Sequence, residues 1–186
     1  MPPDDFLVDV VPGEPSLISQ GGFTWPDGSA HLNLVGFRLA FADAVSVELA
    51  PGSVVRVASL RTLVLLKIPA YIDRPWERDT DLDDIAHILS EYVGATADGR
   101  WSDEVVNLGL DFDDVSPFML GKELAPLVDQ AERGLVQDFL AATEDPSDRL
   151  FTLQRMARRA PAAWKDPERL HLRLLAFRRG FESPRR

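Results

Sequence analysis

The sequence predicts an α+β fold, and three observations carry that reading. Short β-branched runs bounded by Gly and Pro fill the first third of the chain. Helical periodicity governs the chain beyond Ser59. The two kinds of element are segregated rather than alternating, which argues against a βαβ architecture. Residues 1–93 are expected to form a part with a small mixed sheet, and residues 94–186 a helical part packed on it.

Taken in order, the run 6–11 (FLVDVV) reads as a strand that Pro12, Gly13 and Pro15 end. Asp9 sits in its middle. Alternation lets that carboxylate face solvent from an edge strand while Val8 and Val10 point inward. Buried, it would need a partner or a cation. Residues 21–29 (GGFTWPDGS) are turn-rich, 31–35 read as a strand, and 36–44 as a short helix with Phe37 and Phe41 on one face. Residues 45–49 and 54–57 read as strands joined by Ala50-Pro51-Gly52-Ser53. Ser59 is suited to capping the next helix, in which Leu63, Leu66 and Ala70 recur at helical spacing. Asp81 is expected to open the helix after that, where a negative side chain favours the positive end of the dipole. Leu82, Ile85, Leu89 and Tyr92 form that helix's apolar stripe.

Residues 94–100 then read as a linker, and 102–110 as a short helix or irregular. Residues 115–131, 134–142, 148–159 and 167–180 read as helices. Leu120, Leu124, Leu127, Leu135 and Phe139 are expected inward. Leu150, Leu153, Met156, Leu170, Leu174 and Phe177 supply the last apolar faces. Trp76 and Trp101 read as hydrophobic anchors rather than platforms for stacking bases.

Composition narrows the chemistry. The chain has 186 residues, 45% hydrophobic and 27% charged, which is ordinary for one or two globular domains. The absence of cysteine excludes disulfides, thiolate nucleophiles and Cys-type zinc sites. His31, His87 and His171 lack metal-ligand spacing. There is no phosphate-loop signature and no nucleophile elbow. The start, MPPDDFLVD, lacks the layout of a signal peptide, and no apolar run approaches the ~20 residues that span a bilayer. A cytoplasmic protein without a membrane partner is expected. The net charge of −10 is unevenly spread: from Arg149 onward eleven basic residues face three acidic ones, a net +8, which leaves −18 for residues 1–148. The basic end is expected to dock on the acidic body, with a polyanion such as RNA as the alternative.

Lys67 is the anomalous residue, a lone cation inside LVLLKIPAY. Burying an unpaired ammonium costs several kcal/mol. It must therefore snorkel to water with its stem covering the core, or be aimed at a phosphate or a carboxylate in a cleft.

An ordered set of segments resembles a known family. Trp25-Pro26, Asn33 through Gly36-Phe37, VRVASLRTLVLLKI, TDLDDIAHIL and FMLGKELAPLV occur in sequence between Val8 and about Leu140. Together they are similar to bacterial nucleotidyltransferases of the DNA polymerase beta superfamily, near the AbiEii-type toxins. The resemblance implies transfer of a nucleoside monophosphate from a nucleoside triphosphate (NTP) to an RNA, a protein or a small acceptor, on Mg2+ held by carboxylates. It implies that Asp9 is the third metal-binding carboxylate and that Lys67 faces the nucleotide phosphates. Asp81 and Asp84 would play a supporting role, and an antitoxin partner is implied. The family's Gly-Ser turn and Asp-x-Asp strand should precede Asp9, and the eight residues before it do not supply them. Two functions are therefore expected to compete: an enzyme completed from elsewhere, and a non-catalytic oligomerising or regulatory module descended from one. An incomplete sheet would leave an edge at residues 6–11 open to a second copy.

Overall fold

The computed structural model describes residues 10–93, 97–145, 149–158, 160 and 164–183. Asp9 and residues 6–8 of the first expected strand lie outside them. Val10 and Val11, the described end of that run, are exposed and belong to no strand. The class is α+β, helices with short antiparallel strands.

Among the described residues the strands form two separate hairpins rather than one mixed sheet. β1 (Gly22–Thr24) pairs with β2 (His31–Asn33), aligning Phe23 with Leu32. β1 falls in a stretch read as turn, because three residues beginning at a glycine give no alternation to detect. β3 (Val45–Ala50) pairs with β4 (Ser53–Val57) around Pro51-Gly52. α2 (Phe37–Ala42) lies between the hairpins in sequence and buries Leu39 in the core. Gly36 turns the chain into it at φ 88, with the Leu65 and Leu66 side chains where a Cβ would project. A further short helix, α1 (Pro15–Ser19), forms where the sequence showed only breakers. Pro15 stands in its first turn, where a missing N–H costs nothing.

The body is helical: α3 (Leu60–Asp73), α4 (Asp79–Glu91), a 3-10 turn (Asp98–Trp101), α5 (Asp103–Asn107), α6 (Phe112–Leu124), α7 (Gln130–Ala142), α8 (Arg149–Ala157) and α9 (Pro167–Phe181). Ser59 caps α3, its Oγ accepting from the Thr62 amide at 3.3 Å. α4 begins two residues before Asp81, so Asp79 and Asp81 both lie in its first turn. The expected helix 115–131 ends at Leu124, and Asp129 opens α7 with a capping box closed by Glu132. That shift of phase turns Val136 inward and leaves Leu135 half-buried. The side chain of Leu150 lies outside the description.

One core runs from Leu39 to Phe181 and takes residues from both sides of position 94. Its tightest joint is the crossing of α6 on α9. A Cβ added to Gly121 would lie 2.8 Å from the Phe181 nitrogen, and one added to Gly180 would lie 2.9 Å from the Lys122 nitrogen. The two glycines therefore let the backbones touch.

The basic end docks on the body. Arg155 pairs with Asp79, Arg173 with Asp113 and Asp114, and Arg178 with Glu144. Trp76 and Trp101 are not anchors. They are 79% and 63% exposed, Trp76 against Phe151 and Trp101 near Phe112.

Candidate functional site

Lys67 projects from α3 toward the start of α4. Its Nζ donates to Asp81 Oδ1 at 2.8 Å and lies 2.7 Å from Asp84 Oδ2. The structure thus brings together three of the four residues singled out in the sequence, and Asp9 falls outside the described residues. Asp81 is 2% exposed. Its Oδ2 has no hydrogen-bond partner among the described residues, and the Arg78 Nε stands 3.9 Å away. Two cations thus face two carboxylates. Burial pulls the Lys67 pKa down, but the bonds to Asp81 and Asp84 outweigh it and the pKa is raised. The amine stays protonated, the opposite of what a nucleophilic lysine needs.

Lys67, Asp81 and Asp84 thus form an internally paired cluster, and Asp9, the carboxylate assigned to Mg2+, lies outside the described residues. An ammonium already stands between the carboxylates, where a divalent ion would have to sit. Two of the three ammonium donors are committed to these acids, so a phosphate would meet only the third, beside two carboxylates that repel it. The neighbouring cleft of about 210 Å3 is walled by Leu66 and Ala70 of α3, with His31, Asn33, Arg74 and Arg78. Among the described residues no three His, Asp or Glu side chains are grouped to hold a metal ion. No described helix is long and apolar enough to cross a membrane.

The surfaces with room for a partner lie elsewhere. A pocket of about 600 Å3 opens between α1, α2 and the start of α7, lined by Ile18, Leu34, Phe41, Arg38 and Glu132. Its cation is already engaged: Arg38 donates to Glu132 at 2.8 Å and to the Leu127 carbonyl at 3.1 Å. A wider groove of about 660 Å3 runs from the base of the β3–β4 hairpin across Leu60, Leu63, Tyr92 and Met119. Beside it a polar network ties the hairpin to α3. Asp43 accepts from Arg61, Ser59 and Thr62, and Glu123 accepts from Tyr92 Oη at 2.5 Å. The Arg61 hydrogen bonds, helped by the two hydroxyls and opposed by burial, hold the Asp43 carboxyl at about 2. Burial and the bond to Glu123 push the Tyr92 phenol up.

The hairpin itself stands out from the body. Every residue of both strands is exposed. Cross-strand pairing puts Val45 beside Val57 and Val47 beside Val55 on one face, and Ser46, Glu48, Val54 and Arg56 on the other. Leu49, the extra residue of a bulge between Glu48 and Ala50, is 68% exposed near the tip. The alternation VSVEL was legible as a strand. Nothing in it told that the apolar face would stand exposed among the described residues. Comparison with family models, curated proteins and solved structures finds no match for this chain.

Proposed function

We propose that this chain acts as a non-catalytic assembly or regulatory module, the second of the two functions its sequence supports, and that Lys67 is a structural cation. One observation carries the reading: the ammonium expected to meet nucleotide phosphates is held by Asp81 and Asp84 at 2.8 and 2.7 Å. The uncovered valine face of the hairpin supports it, since an exposed apolar surface next to an apolar groove marks an interaction site. The descent from a nucleotidyltransferase remains part of the proposal and explains why a cation sits at this point of the helix.

Isothermal titration with Mg2+ and each NTP tests it. No binding heat is expected from any of them. Binding of any NTP that Lys67→Met abolishes would overturn the reading and restore the enzyme, with Lys67 on phosphate.

A further inference from the structure

The geometry points to a second copy of this chain as the occupant of the hairpin face and groove. Two β3–β4 hairpins lie face to face and antiparallel about a two-fold axis, each with Leu49 set into the other's groove. This deepens the assembly reading by naming the partner, and it fails separately: nucleotide binding overturns that reading, and a monomer overturns this one.

The face is suited to its own copy. Val45, Val47, Val55 and Val57 carry no charge, so laying the face on itself juxtaposes no like charges, although each chain has a net charge of −10. The charged residues Glu48 and Arg56 sit on the opposite face. Val45 and Val57 also border the groove, so the face runs into it, and among the described residues the groove's one charged wall residue, Glu123, is already paired with Tyr92 and Arg61. In an antiparallel pair the tip of each hairpin meets the base of the other, which is where Leu60, Leu63 and Met119 lie. Self-complementarity of this kind is what a two-fold interface requires.

The exposed area is large enough for a specific contact. A fully exposed Val or Leu side chain offers about 100 Å2 of apolar surface. The four valines, Leu49 and Leu60 are between 36 and 68% exposed and together offer about 280 Å2 per copy. Doubled, and completed by the polar share usual at interfaces, this comes to about 1,000 Å2, the lower limit for a specific contact. A contact of that size is the weak, reversible kind, whose population depends on concentration.

Sedimentation equilibrium of the full chain between about 1 and 300 µM tests the proposal. A dimer that grows with concentration, and more so in 1 M salt where the like charges are screened, is expected. Val47→Lys and Val55→Lys should each weaken it at least tenfold with an unchanged circular dichroism spectrum. Val54→Lys, on the opposite face, should leave it intact. Because the chain lacks cysteine, the geometry can also be trapped. Leu49→Cys protein mixed with Leu60→Cys protein should oxidise to a mixed dimer several-fold faster than Val54→Cys protein mixed with Leu60→Cys protein. A monomer at every concentration, a dimer that Val47→Lys spares, or one that Val54→Lys destroys equally well overturns the proposal.

Discussion

Replacing Lys67 by methionine separates a structural lysine from one kept for a ligand. The substitution keeps the stem and removes the charge. Asp81, 2% exposed, then loses its hydrogen bond at 2.8 Å and keeps only Arg78 at 3.9 Å. Breaking a buried ion pair from one side costs about 3–5 kcal/mol. Lys67 is 29% exposed, so water reaches the vacated site and the expected loss falls to about 2 kcal/mol. Asp84 is half exposed, so Asp84→Asn should cost less than about 1 kcal/mol. Urea unfolding should show the Lys67→Met midpoint shifted with the slope unchanged. In the double variant with Asp81→Leu, part of the loss should return, giving a coupling energy of about 1–2 kcal/mol. The raised pKa adds a pH signature: the lysine's contribution is complete below its unfolded value of 10.5 and is lost as pH rises through the higher folded value. A Lys67→Met protein as stable as the parent, or more stable, would refute the reasoning. That is the behaviour of a site maintained for function at the expense of the fold.

Other variants have equally definite outcomes. Gly121→Ala or Gly180→Ala forces apart the backbones of α6 and α9 and should cost about 3 kcal/mol, lowering Tm by about 6–12 °C in calorimetry. Gly134→Ala, inside α7 with nothing within 4 Å of the added Cβ, should raise Tm, corresponding to about 0.5–1 kcal/mol. Asp43, with its carboxyl lowered from 3.8 to about 2, contributes stability that is present above pH 3.8 and is lost as pH falls toward 2. The shift is worth at most about 2.5 kcal/mol, discounted to about 1 for the solvent beside Arg61, so acid titration of Asp43→Ala should lack that part of the low-pH limb. Asp129→Ala removes the cap of α7 and should cost about 1 kcal/mol in urea unfolding.

The helical body was largely legible because its signals are local and periodic. Ser59 as a cap, the Leu82–Ile85–Leu89 stripe, and Leu170, Leu174 and Phe177 all appear where spacing put them. Features set by tertiary packing were not legible. The break between α6 and α7 depends on the capping box of Asp129 and Glu132, which sits inside a run that helical spacing reads straight through. β1 is too short to alternate and exists through its pairing with β2. Lys67 was visible as an anomaly, and Asp81 and Asp84 were singled out for a supporting role, but nothing in the sequence spacing paired them with it. The packing of α3 on α4 decides that pairing.

The uneven charge of the chain bears on what it can bind. The positive tail invited an RNA reading, yet Arg155, Arg173 and Arg178 all meet carboxylates within the molecule. Docking uses those three charges internally, and the chain as a whole carries a net charge of −10. Contact between two chains of the same net charge is least opposed where charge is absent, and on the hairpin that condition is met by the face of Val45, Val47, Val55 and Val57. The direction of the salt effect is fixed by the same charges. Association through that face must strengthen as salt rises, whereas binding of a basic partner must weaken, so one titration of ionic strength decides between them.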